Sequence, residues 1–503
     1  MGHFFCRAFF CSVWGSLLLF LTTGYARAQS SAGLDQVIND FISPVTNKIV
    51  GWVFFSATIG DVAIPLIVVW LIVGAVFFTF YFGFISFHGF KHAIALVSGK
   101  FADKQHPGEV THFQALTTAL SGTVGLGNIA GVAVAISIGG PGATFWMIVA
   151  GLLGMSSKFV ECTLGVMYRI EHKDGSVSGG PMYYLSRGLN DLGHRRLGLF
   201  LAGFFAVCCI LGSIGGGNMF QANQAYKMLL SVTGNEHSFF ADKAWLFGLL
   251  LAVFVGSVII GGVKSIARVT VRLVPFMGVL YVLACIVILA ANVSQIPQAI
   301  ELIILGAFAP AGVAGGMVGV MIQGFKRSAF SNEAGIGSAA IAHAAVKTKE
   351  PITEGMVSLL EPFIDTVIVC TMTALVLVVT GSYTQELGGV ELTAAAFGSV
   401  FSWFPNLLVV AVVLFAVSTM LSWSYYGLKA WTYLFGHGKR TELLYKFIFC
   451  LFIVVGCTMD LGSVVDFSDA AIFAMSVANI LGLYMLAPQV KKRLQNYRET
   501  VMA

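Results

Sequence analysis

The chain has 503 residues, of which 57% are hydrophobic and 11% charged, with a formal net charge of +5. Soluble globular proteins carry roughly 25% charged residues, so this composition excludes an ordinary water-soluble enzyme or a nucleic-acid-binding domain and indicates a lipid-embedded chain. The nine cysteines form no C-x-x-C pair and lie mostly in apolar runs, where they read as small buried hydrophobes.

Residues 1–28 combine Arg7, the apolar run VWGSLLLFLTT and Ala26-Arg27-Ala28, the pattern of a cleavable export signal. Residues 29–60 are mixed, and Trp52, Phe54 and Phe55 suggest an external amphipathic segment at the membrane interface. Apolar stretches of spanning length then follow at 62–86, 113–138, 142–168, 199–230, 243–261, 273–291, 309–345, 355–381, 404–430, 442–459 and 469–489, with a shorter helix expected at 391–402. The fold class expected is an all-α integral membrane protein of about eleven transmembrane helices.

The basic residues set an orientation. With the mature N-terminus outside, alternate loops receive Lys91, Lys100 and Lys104, then Arg169, Lys173, Arg187, Arg195 and Arg196, then Lys264, Arg268 and Arg272. Lys347 and Lys349, Lys429, Lys439, Arg440 and Lys446, and the tail 490–503 continue the same side. The opposite side holds Lys48, Lys227 and Lys243. The bias puts the mature N-terminus outside and the C-terminus in the cytoplasm.

Two of the spans are interrupted. SGTVGLGNIAG (121–131) and QGFKRSAFSNEAGIG (323–337) break otherwise apolar segments. Loose backbone is tolerated at membrane depth only where it is enclosed by protein or lines a watery cavity. Setting aside 61–112 as an extra N-terminal helix with its cytoplasmic loop, 113–291 and 309–489 form two five-helix halves. Each half opens with a broken helix, and the two enter from opposite sides. This resembles the 5+5 inverted repeat of LeuT-like transporters.

In the first break, Ser121, Gly122, Thr123, Gly125, Gly127 and Asn128 supply hydroxyls, an amide and backbone suited to a carboxylate and a hard cation. A small-residue packing face through Gly127 and Gly131 is the competing reading. The string GLGNIA lacks the strand and βαβ context of a dinucleotide site. In the second break, Lys326, Arg327, Asn332 and Glu333 either pair with one another or meet a substrate carboxylate. Lys158 and Glu161, three apart, are expected to form a local ion pair. Among Asn218, Gln221, Asn223 and Gln224, Gln221 is the candidate for a substrate ammonium. Ser418, Thr419 and Ser422 share a helical face and suit a cation, with Met420 and Trp423 as walls for a small side chain; helix packing is the alternative. Asp365 is a weaker candidate, as a proton carrier.

These strings together are similar to the alanine or glycine:cation symporter family. The resemblance rests on SGTVGLGNIAGVAVAISIGGPGATFWM, LLGMSSKFVECTLGVMYR, GGPMYYL, FSNEAGIGSAAIAHA and STMLSWSYYG, spread over roughly residues 60–490. It implies sodium- or proton-coupled uptake of alanine or glycine across a plasma (bacterial inner) membrane, with no cofactor; the hydroxyl-rich cluster favours sodium as the coupling ion. The partners it implies are a small amino acid and the bilayer, with no nucleic acid and no obligate protein partner. It also implies that Thr123, Gly125, Gly127 and Asn128 lie in the first unwound segment, Gly324 in the second, Gln221 at the ammonium, Met420 and Trp423 on the pocket wall, and Thr419 near the cation. HExxH and GxSxG are both absent, so no enzymatic role is expected.

Overall fold

The computed structural model describes residues 46–59, 62–100, 107–173, 175–308 and 315–502. The expected signal at 1–28 and most of the 29–60 segment lie outside these residues. An antiparallel hairpin, β1 (Ser56–Ile59) with β2 (Val62–Pro65), precedes the first long helix, α1 (Leu66–Tyr81). That corrects the first expected span: β-branched Val62 and Ile64 with Pro65 favour extended backbone, so helix starts at Leu66 rather than at 62. At 16 residues, α1 is shorter than a full bilayer crossing.

The first interrupted helix is α2 (His112–Thr123), a 3-10 turn at Leu126–Asn128, and α3 (Ala130–Gly139). The two arms are bent by 55°. Thr111 opens α2 with a capping box, its hydroxyl accepting from Gln114 N while the Gln114 side chain accepts from Thr111 N. Next come α4 (Ala143–Met167), α5 (Arg195–Thr233), α6 (Ala244–Ile259), α7 (Gly262–Ala291) and α8 (Ile296–Phe308). The second interrupted helix is α9 (Gly316–Asn332) followed by α10 (Ala339–His343). After it run α11 (Pro351–Val379), α12 (Gly389–Val400), α13 (Phe404–Phe435), α14 (Lys439–Thr458) and α15 (Leu461–Tyr497).

Every apolar segment marked in the sequence carries a helix or a broken helix pair. Among the described residues, seven helices are long and apolar enough to cross a membrane, or eight if the bent pair α2/α3 counts as one. Length and composition thus support seven or eight of the about eleven expected crossings, and the others fall on shorter helices. The short members are α1, α6 and the arms of the second broken helix.

Packing places the breaks against each other. Helix α9 lies on α3 and α4 and touches the first break, while α2 lies on α7, α13 and α10. Apolar side chains left outward, such as Leu250, Val253 and Phe254 on α6, Phe276, Val279 and Leu283 on α7, and Phe447 on α14, form the lipid-facing surface.

The packing-face reading of the first break meets a clear test. A Cβ at Gly127 would come within 3.3 Å of Ser331 Cα on α9 while one at Gly131 would touch nothing within 4 Å, so only Gly127 packs closely; outside the break, one at Gly142, at the start of α4, would overlap the Gly306 carbonyl of α8. We expect Gly142→Ala to lower the detergent melting temperature, by strain worth about 1–3 kcal/mol. Gly131→Ala is expected to be neutral or slightly stabilising.

Candidate functional site

Leaving the helical path strips backbone groups of their partners, and side chains replace them. At the first break, Gly125 N donates to Asn128 Oδ1 (2.9 Å) and Leu126 N to Gln221 Oε1 (3.1 Å). Asn128 Nδ2 donates to Asp365 Oδ1 (2.7 Å) and to Asp365 O (3.0 Å), and Thr373 Oγ1 donates to Asn128 O (2.8 Å). Gln221 Nε2 is anchored on Gly216 O (2.9 Å). Asn128 and Gln221 thus hold the break open as structure, and Gln221 Oε1 retains a lone pair for a ligand.

The second break occupies only the end of the string marked in the sequence, and the expected place of Gly324 in it is corrected. Helix α9 runs unbroken through Gln323, Gly324, Lys326 and Arg327 to Asn332, and unwinding starts at Glu333, a left-handed residue (φ 57°). Gly324 is therefore mid-helix, where its missing Cβ lets α9 approach Trp146 and the Ala143 carbonyl of α4. Beyond Glu333, Gly335 (φ 85°) and Gly337 (φ 92°) supply turns that side chains rarely adopt. Ala334 N donates to Asn332 Oδ1 (2.9 Å), and Asn479 Nδ2 reaches Gly335 O (2.9 Å) from α15.

The charges also pair differently from expectation. Lys326 and Arg327 both reach Asp469 on α15, Lys326 at 3.0 Å. Glu333 instead accepts from Trp423 Nε1 (2.8 Å) and from the Ser338 hydroxyl. Lys158 does not pair with Glu161: it binds Glu361 (3.1 Å), while Glu161 accepts from Asn479 (2.7 Å). Facing helices satisfied these groups before their sequence neighbours could.

Between the breaks lies a narrow cavity lined by Gly122, Thr123, Gly127, Gly216, Gln221, Phe330, Glu333, Thr419, Trp423 and Ile472, with room for about one water molecule. Thr123, Gly127, Gln221, Thr419 and Trp423 are brought together as the sequence reading required. Met420 is fully buried beside them without lining the cavity. Trp423 packs on the glycine turn of α5, where a Cβ on Gly217 would overlap its Cβ and ring.

The hydroxyl cluster divides by role. Ser422 Oγ donates to Thr118 O (2.7 Å), and Ser121 Oγ donates to Ser418 O (2.6 Å), stitching α13 to α2. Ser418 Oγ returns to Phe415 O in its own helix (2.8 Å). Thr419 Oγ1, between the stitches, is buried without a hydrogen-bond partner, and it sits where a Cβ on Gly125 would overlap it. An unpaired buried hydroxyl is costly, and a dehydrated cation is one partner that would satisfy its oxygen. A second oxygen cluster sits beside the first break, where Asp365 also accepts from Ser331 Oγ (2.8 Å) and Thr366 Oγ1 (2.8 Å).

Ser331, Phe330 and Ile472 were missed from sequence. Ser331 stands in the marked break string and had a signal; Phe330 and Ile472 are apolar residues in apolar helices and had none. Of the other amides marked, Asn218 and Asn223 donate to carbonyls around α14, and Gln224 accepts from Val390 N.

The profile of the sodium:alanine symporter family matches residues 49–503. The chain belongs to that family. It is 41% identical over 440 residues to "Sodium/alanine symporter AgcS" of Methanococcus maripaludis, covering 86% of this chain and 94% of the relative. It is 32% identical to "Probable sodium/glutamine symporter GlnT" of Bacillus subtilis, covering 86% and 87%. Among solved structures, MhsT in complex with L-phenylalanine superposes with TM-score 0.50 at 15% identity, over 76% of this chain and 98% of that one. That likeness speaks to the fold alone, a LeuT-type arrangement. The family member described here is a multi-pass amino-acid:cation symporter, not an enzyme.

The tight approach at Gly125 yields a prediction. Gly125→Ala drives a methyl into Thr419 Oγ1, so the protein should keep its fold but lose whatever rise in melting temperature an added amino acid and cation give the wild type. Retained stabilisation would remove Gly125 and Thr419 from the site.

Proposed function

We propose that this protein is a sodium-coupled symporter of small neutral amino acids, alanine and glycine, working by alternating access between two inverted halves. The observation that carries the proposal is the orphaned Thr419 hydroxyl facing the first break across a cavity that also exposes Gln221, Glu333 and Trp423. Sodium would be held by Thr419 and Thr123, with Ser418 and Ser422 contributing lone pairs left free by their donated protons. The substrate carboxylate would meet the backbone at Gly125, Gly127 and Asn128, displacing the Asn128 Oδ1 and Gly125 O acceptors that Gly125 N and Asn128 N now hold, and its ammonium would meet Gln221 Oε1. Gly324 shapes the site only indirectly, by letting α9 approach α4.

The cavity as it stands holds about one water molecule, so substrate binding must widen it; Trp423, Phe330 and Ile472 would then wall the substrate side chain and reject long ones by clash. In the orientation proposed, with the N-terminus outside, the Lys326 and Arg327 pairing with Asp469 closes the outer side. Binding must favour the occluded state for both solutes if their transport is to be coupled. Proton coupling is the second reading. It would centre on Asp365, which is fully buried and, among the described residues, forms no ion pair.

Labelled L-alanine uptake into proteoliposomes tests the proposal, with an inward sodium gradient against potassium at equal pH. Concentrative uptake should require sodium; uptake that follows a proton gradient without sodium would move the coupling site to Asp365. Thr419→Val should raise the sodium concentration for half-maximal uptake by about tenfold or more, a loss of about 1.4 kcal/mol. Trp423→Ala should admit valine or glutamine, measured as competition against labelled alanine; unchanged selectivity would remove Trp423 from the wall.

A further inference from the structure

A second polar assembly, away from the cavity, ties the two broken helices together at one end of the molecule. Residues 107–111 and 344–348 meet there: Val110 and Val346 form a parallel bridge, and Lys347 N donates to Val110 O (2.8 Å). The Arg169 guanidinium gathers the carbonyls of Pro107, Ala344, Val346 and Thr348. Beneath this closure a ladder of ionisable side chains crosses four elements. His112 at the start of α2 faces Glu354 Oε2 (2.5 Å), and the other Glu354 oxygen faces His343 Nδ1 at the end of α10 (2.6 Å). His343 Nε2 faces Glu361 Oε1, and Glu361 Oε2 accepts from Lys158 Nζ (3.1 Å).

Hydrogen counting makes this more than packing. A neutral imidazole carries one N–H, yet both ring nitrogens of His343 lie against carboxylate oxygens. With one N–H, the other nitrogen would present a lone pair to an oxygen that also has no hydrogen. The closed geometry therefore requires one further proton, on His343 or on one of its two carboxylates. The His112 contact is served by a neutral tautomer and needs none. With that proton, the cluster of His343, Lys158, Glu354 and Glu361 is electrically balanced, as burial demands. Lys158, His343, Glu354 and Glu361 are all fully buried, and His112 lies at the rim.

We propose that His343, held between Glu354 and Glu361, is a proton-binding site whose occupancy locks together the two half-helices α2 and α10. The charged and titratable groups around it are His112 from α2, Lys158, Glu161 and Cys162 from α4, Glu354 and Glu361 from α11, and Tyr426 from α13. Glu333 lies on its own broken helix, and the Arg169 guanidinium holds the adjacent Ala344 carbonyl (3.1 Å). Opening of this end separates His112 from Glu354 and admits water, so the opened ladder holds the proton less tightly than the closed one. By linkage, acid on this side stabilises closure and alkali favours opening. The proton is bound and released on the same side, because among the described residues no hydrogen bond carries the ladder on to the cavity. A metal ion on Cys162, His343 and Glu361, whose ligand atoms lie within 4.8 Å of one another, is disfavoured by the Lys158 ammonium already on Glu361.

The site itself rests on geometry; only its cytoplasmic sidedness rests on the orientation proposed above. Cys162, buried inside the ladder, is a native reporter of opening. The test uses the full-length protein in proteoliposomes with internal and external pH set separately. N-ethylmaleimide modification of Cys162 is measured by peptide mass spectrometry, as the ratio of wild type to His343→Gln, which removes the thiol's own titration. This ratio should change by about tenfold between about pH 6 and about pH 8.5 on the cytoplasmic side, and stay flat with pH on the other side. Sodium-driven alanine uptake should follow the same side's pH in wild type and lose that dependence in the variant. If His343→Gln does not fold, Glu354→Gln serves as the non-titrating reference. A flat ratio on both sides overturns the proposal. Labelling that tracks pH in a protein that takes up no alanine sustains the proton site and overturns the transport reading. Tracking of the opposite side's pH sustains the site and reverses the orientation.

Discussion

A bilayer offers no water to a backbone that leaves the helix, and the rest of this structure follows from how that constraint is met. Two helices unwind at membrane depth, and amide side chains take over the hydrogen bonds that the helices give up. Asn128 and Gln221 cap the first break; Asn332 and Asn479 cap the second. Each of these amides also reaches a different helix or turn, so the breaks are fixed to their surroundings rather than loose within them. The cavity is what remains between two rigidly held interruptions. Among the described residues that line it, Thr419 carries a buried hydroxyl without a partner, and Tyr426 Oη behind Gly122 is unpaired as well.

The same economy governs the charges. Asp469 holds Lys326 and Arg327 on one side of the breaks, and Glu361 holds Lys158 on the other. Each partnership joins elements far apart in sequence, so a buried charge becomes a fastening between helices instead of a local pair. Removing one partner of such a pair leaves a charge in a dry interior, at a cost of about 3–5 kcal/mol. A transporter that must break some of these contacts on every cycle has reason to place them at the ends of the pathway and neutral amides at its centre.

The elements and the first break were legible in the sequence, because membrane-length apolar runs and a cluster of glycines with Thr123 and Asn128 leave a strong local signal. The string marked for the second break, 323–337, contains it, but only its end from Glu333 unwinds, and Gly324, placed in the unwound segment by resemblance, is helical. The helix continues through Lys326 and Arg327, whose charges are met by Asp469 from a segment 142 residues beyond Arg327. The Lys158–Glu161 expectation failed for the same reason: helical spacing predicts neighbours, while burial selects partners from facing helices. Phe330 and Ile472 carry no mark that distinguishes a cavity wall from a lipid-facing or packed side chain. The short hairpin before α1 was hidden because its residues, Val62 to Pro65, continue the apolar run.

In the function proposed, one cavity binds cation and amino acid together, through Thr419 on one helix and the first break on another. Linkage makes that claim reciprocal: if sodium tightens alanine binding by some factor, alanine must tighten sodium binding by the same factor. The most direct measurement is alanine titration of the purified full-length protein by calorimetry across a range of sodium concentrations, with the converse sodium titration across alanine. The account predicts matching mutual enhancement, lost together in Thr419→Val. Alanine affinity that is indifferent to sodium would contradict it.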